Sequence, residues 1–149
     1  MKKSFIMLIV LLCAVSGCMS TGGTPITRDQ MPELSGSKGR VIFYRTSMMF
    51  GSGMQPPIFL DGRKVGVSAS GTAFAVDVDP GKHSASIAKI LYPGAEGGVD
   101  FQIGANEMVY IRTWTGGGSL AGRTDAGVMD PLTAEKHLKD VSFLRFETE

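Results

Sequence analysis

From residue 40 to the C-terminus, short β-branched and aromatic runs alternate with turn residues, and that alternation limits the fold more than any other feature. RVIFYRTS (40–47) is apolar on both faces, which suits a central strand. PIFLDGRKVGVS (57–68) spells a hairpin whose Asp61-Gly62 supplies the positive φ angles of a tight turn. In GTAFAVDVDPGKH (71–83), Phe74, Val76 and Val78 share one face and Ala75, Asp77 and Asp79 the other. Asp79-Pro80-Gly81-Lys82 then turns the chain, with Pro80 pre-setting φ. HSASIAKIL (83–91), VDFQI (99–103) and EMVYIRTWT (107–115) continue the series, while YPGAEGG (92–98) and GGGSLAGRTDAG (116–127) read as loops. Asp130-Pro131 pairs an N-cap with proline at the first helical position, opening a short helix over LTAEKHLKD. VSFLRF (141–146) closes the chain as a strand. The pattern predicts a mainly β domain over 39–149: a single antiparallel β-sandwich, immunoglobulin-like or transthyretin-like, with one short C-terminal helix.

The N-terminus carries an address. Lys2 and Lys3 precede the apolar run FIMLIVLLCA (5–14), and Val15-Ser16-Gly17 is a small-residue cleavage region, so 1–17 has the three parts of a secretory signal. The run is too short to cross a hydrocarbon core, which takes about 20 residues. Val15-Ser16-Gly17-Cys18 resembles the bacterial lipoprotein signal box at every position. That resemblance implies cleavage between Gly17 and Cys18, a diacylglyceryl thioether on the Cys18 sulfur and an acylated amino group, chains enough for stable anchoring. Met19-Ser20 lacks the aspartate that retains such proteins on the inner membrane, so the resemblance implies the outer membrane, facing the periplasm. An ordinary secretory signal and an uncleaved N-terminal anchor are the alternatives.

Composition narrows the chemistry. Loss of 1–17 removes two of 15 basic residues against 14 acidic ones, and a near-neutral chain offers no electrostatic footprint for nucleic acid. As the resemblance implies, Cys13 would leave with the signal and Cys18 would carry lipid, so neither disulfide nor thiolate metal site is expected in the mature chain. Residues 18–38 then comprise the lipidated cysteine and a Ser/Thr/Gly/Pro-rich stretch that reads as a flexible tether.

Four segments in order carry a wider resemblance: Phe43-Tyr44-Arg45, Leu60-Asp61-Gly62-Arg63-Lys64-Val65-Gly66, Pro80-Gly81-Lys82-His83 and Tyr110-Ile111-Arg112. Together they resemble a family of bacterial lipoproteins defined as a domain of unknown function, and the hairpin and turn are similar to those of PEGA-type surface modules. The resemblance implies a β-sandwich in the cell envelope and brings no catalytic residues. Turn chemistry alone accounts for Asp61, Gly62, Pro80 and Gly81.

Candidate chemistry is sparse. A triad needs a nucleophile, a base and an orienting acid, and His83 and His137 each read as satisfied or solvated. GGGSLAG lacks the Gly-Lys-Ser/Thr ending of a phosphate loop, and Asp77/Asp79 fall on a solvent face. The loop TSMMFGSGMQPP (46–57) departs from loop norms, because Met48, Met49, Phe50 and Met54 stand where polar residues are usual. Three readings are open: a cap on one end of the core, an adaptable apolar patch for a partner or the membrane, or thioethers that bind Cu(I), with or without His83. Arg45 and Arg112 end two apolar strands and read as snorkelling to water, or as a paired anion site if their strands are neighbours. The expected function is a non-enzymatic, membrane-anchored envelope lipoprotein that binds or supports another envelope component, with no cofactor beyond the lipid. A periplasmic small-ligand or Cu(I) binder using 48–54 is the alternative.

Overall fold

Alternating side chains along each strand sort themselves onto two faces, and here each face finds a different cover. The computed structural model describes residues 22–49, 51–88, 97–116 and 124–146. Among the described residues the strands are β1 (Thr24–Ile26), β2 (Gly39–Arg45), β3 (Pro57–Leu60), β4 (Arg63–Val67), β5 (Thr72–Val78), β6 (Gly81–Ile87), β7 (Gly97–Ile103), β8 (Met108–Thr115), β9 (Thr124–Met129) and β10 (Ser142–Arg145), with one α-helix, α1 (Pro131–Leu138). They form a six-stranded sheet, β1-β10-β5-β2-β8-β9, and a four-stranded sheet, β4-β3-β6-β7.

The sheets pack as a β-sandwich. Val41, Phe43, Phe74, Val109 and Ile111 from the larger sheet meet Ile58, Leu60, Ala85, Ile87, Phe101 and Ile103 from the smaller one. The opposite face of the larger sheet is covered too: Ile42, Tyr44, Ala73, Tyr110 and Phe143 lie against Ala134 and Leu138 of α1. Two covered faces explain why β2 is apolar throughout. On one side the sandwich closes tightly, because a Cβ on Gly97 would stand 2.5 Å from the Thr124 carbonyl oxygen and 2.8 Å from the Asp125 Cα. Only glycine lets β7 and β9 approach so closely.

Asp61 (φ 51°) and Gly62 (φ 77°) make the β3–β4 turn, and the Asp130 side chain accepts from the Thr133 N–H at the start of α1. Three features differ from expectation. Most pairings are antiparallel, but β2/β8 and β5/β10 are parallel. Residues 124–127, the end of the expected loop 116–127, belong to β9, which pairs with β8 from Tyr110↔Met129 to Thr115↔Thr124. Finally, the expected tether 18–38 contains β1, paired antiparallel with β10 from Thr24↔Arg145 to Ile26↔Phe143. A 3₁₀ turn at Arg28–Gln30 follows β1, and Ile26 and Met31 pack beneath α1. The fold therefore includes the stretch from Thr24, because burying these two side chains and pairing the β10 edge outweighs the weak local propensity of Thr-Pro-Ile. Among the described residues no helix is long and apolar enough to cross a membrane.

Candidate functional site

At one end of the sandwich, β2 runs out into 46–56, beside the residues that follow β4 and the last residues of β8. Val41 and Phe43 point between the sheets, so alternation sends Arg45 there as well, and it is 1% exposed. This overturns the expectation that Arg45 snorkels to water. Its guanidinium is caged: Nη1 donates to the Met54 and Ser68 carbonyls at 2.9 and 3.1 Å, and Nη2 to the Gly51 carbonyl and Thr115 Oγ1, both at 2.7 Å. Among the described residues Nε has no acceptor and no carboxylate forms an ion pair with Arg45. Burial pulls its pKa below the ordinary arginine value. Desolvating a cation costs several kcal/mol. Four charge-assisted hydrogen bonds, each about 1.5–3 kcal/mol, offset that cost.

The cage fixes the methionine loop from below. Gly51 and Met54 are held through their carbonyls, the Met54 N–H donates to the Gly51 carbonyl at 3.0 Å, and the Met48 N–H donates to Ser70 Oγ at 3.1 Å. Met48 and Met54 are half-buried, whereas Met49 is 90% exposed. Phe50, Gly17 and Cys18 lie outside the described residues. A hydroxyl layer completes this end, with Ser68 Oγ 2.7 Å from Thr113 Oγ1 and Thr113 Oγ1 donating to the Tyr44 carbonyl at 3.3 Å.

The far end is built from ion pairs. Arg40 donates to both oxygens of Asp77 at 2.6 and 2.8 Å, and Lys38 reaches Asp79 at 2.7 Å. Two motifs that look independent in sequence meet here: His83 Nδ1 lies 2.7 Å from Asp61 Oδ2, while Asp61 Oδ1 accepts from the Ser84 N–H at 3.0 Å. His83 Nε2 is 2.8 Å from the Asp79 carbonyl oxygen. With acceptors on both ring nitrogens, the imidazolium form is the one that donates to both. The Asp61 hydrogen bond is the main cause of a raised His83 pKa, working against burial. For Asp61, burial pushes upward, but hydrogen bonds from His83 and Ser84 and the nearby charges leave the carboxyl below its ordinary value. A shallow groove of about 590 Å³ runs past this clasp, lined by Asp61, Lys82, His83, Asp100, Phe101 and Gln102.

The outer face of the larger sheet holds the third cluster. Arg28 grips Glu135 of α1 with two bonds of 2.6 and 2.7 Å, and Tyr110 Oη donates to Glu135 Oε1 at 2.7 Å. Burial, then Glu135, push the Tyr110 pKa up to about 12. Tyr44 Oη lies 3.0 Å from His137 Nδ1. Further along β8, Arg112 Nη2 donates to Thr46 Oγ1 at 3.2 Å.

Tyr44 and Arg112 are register partners, so Arg45 and Arg112 are neighbours along adjacent strands yet project to opposite faces. They cannot share one anion. Sequence reasoning misses the Arg45 cage, the Asp61–His83 clasp and the Arg28–Glu135–Tyr110 cluster, since each joins residues brought together by pairing between distant strands. The chain matches no family model, no curated protein and no solved structure.

Proposed function

We propose that the protein is a lipid-anchored, non-enzymatic binding module of the bacterial envelope, and that the 46–56 loop is where it meets another envelope component. One observation carries this reading: Met49 is 90% exposed on a loop whose carbonyls are fixed by a buried cation. A large apolar side chain held out by a rigid support loses little conformational freedom on binding, and methionine adapts to irregular partner surfaces. The Val15-Ser16-Gly17-Cys18 box supports the anchor. Because β1 starts at Thr24, the chain from Cys18 to the domain can reach at most about 20 Å, which holds the domain close to the bilayer.

The test has two arms. Cys18→Ser should release the protein from the membrane fraction or block its processing, and an unmodified mature N-terminus at another residue refutes the anchor. A photocrosslinking amino acid at position 49 should trap an envelope protein in living cells, while one at exposed Lys64 on β4 should not. Equal yields from both positions refute the loop as the contact.

A further inference from the structure

We propose that Arg112, with Thr46 and Trp114, forms a binding site for an oxyanion of carboxylate or phosphate type, on the outer face of the larger sheet and beside the methionine loop. Along β8, Tyr110 packs beneath α1 while Val109 and Ile111 enter the sandwich, so alternation puts Arg112 and Trp114 on the outer face. A guanidinium carries five N–H donors. Among the described residues Arg112 spends one of them, on Thr46 Oγ1, and its Nε is covered without an acceptor. No carboxylate among the described residues forms an ion pair with it, in contrast to Arg28 and Arg40. The half-buried guanidinium thus keeps one donor shielded from solvent with no acceptor and leaves the rest of its fork open to an anion.

The surroundings fit such a ligand. Gly127 is the register partner of Arg112, and a Cβ there would stand 3.4 Å from Trp114 Cη2, so the indole lies across the strand next to the cation. Trp114 is 37% exposed and offers an apolar wall for whatever carries the anionic group. The acidic groups near by have other partners: Asp125 Oδ1 accepts from the Ala126 N–H, and Asp130 Oδ1 from the Thr133 N–H at the start of α1. Burial of the Arg45 charge on the other face of the same sheet end adds positive potential. The site stands whether or not the chain is lipid-anchored.

Trp114 is the single tryptophan of the chain, so its fluorescence reports on this place alone. Titration with sodium phosphate and, separately, sodium acetate, at ionic strength held constant with sodium chloride, should give a saturable change with half-saturation in the millimolar range. A response to phosphate alone identifies a phosphate-bearing ligand, and a response to acetate identifies a carboxylate. Arg112→Gln should weaken the response at least tenfold, and Arg63→Gln, on the other sheet, should leave it unchanged. If Arg112→Gln does not fold, Arg112→Lys keeps the charge without the fork and should weaken the response several-fold. A wild-type emission that follows ionic strength only, or a folded Arg112 variant with the wild-type response, overturns the proposal.

Discussion

The two ends of the sandwich are held by opposite chemistry. At the turn end, Lys38, Arg40 and His83 each meet an aspartate, and the pairs tie together the β3–β4 turn, the β5–β6 turn and the start of β2. At the loop end, Arg45 is more deeply buried than any of these, yet its partners are backbone carbonyls and a threonine hydroxyl. A carboxylate neutralises a cation and fixes one side chain. A carbonyl cage leaves the charge in place and fixes a stretch of main chain. The difference teaches where shape is set by turn chemistry and where a cation is used to shape a loop that turn chemistry does not define.

The largest expected effect breaks the cage. Arg45→Ala leaves the Met54 and Ser68 carbonyls and Thr115 Oγ1 without their donor, at about 1 kcal/mol or more each, while the Gly51 carbonyl keeps the Met54 N–H, so stability should fall by about 3 kcal/mol. Arg40→Ala, at the paired end, removes a salt bridge whose Asp77 side is 31% exposed and should cost about 1 kcal/mol. Urea midpoints at unchanged m-value measure both. Equal losses would mean that the carbonyls find water as readily as Asp77 does, and the contrast between the ends would dissolve.

A smaller effect comes from titrating the clasp. The folded protein holds the His83 proton more tightly than the unfolded chain, so that stabilisation is whole below the ordinary histidine value of 6.5 and fades as pH rises through the raised folded value. Asp61 works from the acid side: its contribution is present above the ordinary value of 3.8 and is lost as pH falls through the lowered folded value. The clasp is therefore strongest between roughly pH 4 and pH 6.5. Asp61→Asn should flatten the loss of stability between pH 6 and 8.5, a difference under about 1 kcal/mol because Asp61 is half exposed to screening solvent. Only the difference between the two proteins reports the clasp. An unchanged slope in Asp61→Asn would remove His83 from the account of the turn end.

The same contrast separates what was legible in the sequence from what was not. Asp61-Gly62 and Asp130-Pro131 act on their own neighbours, and the turn and the helix appear where those residues put them. β2 was legible because both of its faces are apolar. β9 was not, since Thr-Asp-Ala-Gly-Val-Met has no strong β pattern and becomes a strand by pairing with β8. β1 fails the same way, being three residues long and dependent on β10. The Arg45 cage is not legible because a cation next to polar residues reads as a strand end, and nothing local reveals that three carbonyls from 51, 54 and 68 converge on it. The fold class rests on local alternation. The candidate sites rest on long-range register, which one sequence does not display.

The smallest effect on stability belongs to Met49. At 90% exposure it buries almost nothing, so Met49→Ser should move the urea midpoint by less than about 0.5 kcal/mol, whereas Met48→Ser, from a half-buried position, should cost about 1 kcal/mol. If the loop is a contact, the order reverses for binding: Met49→Ser should abolish the crosslinks made from neighbouring loop positions, and Met48→Ser should weaken them only as far as it unsettles the fold. Because Arg45 holds the loop from beneath, Met49→Ser should also leave the hydrogen-exchange protection of the Met54 N–H unchanged, separating loss of contact from loss of shape. Cu(I) that raised the melting temperature of the wild type but not of Met49→Ser would turn the loop into a metal ligand. A Met49→Ser protein with full crosslinking and no copper effect would make the loop a lid on the Arg45 cage, and the loop end would then differ from the turn end in construction alone.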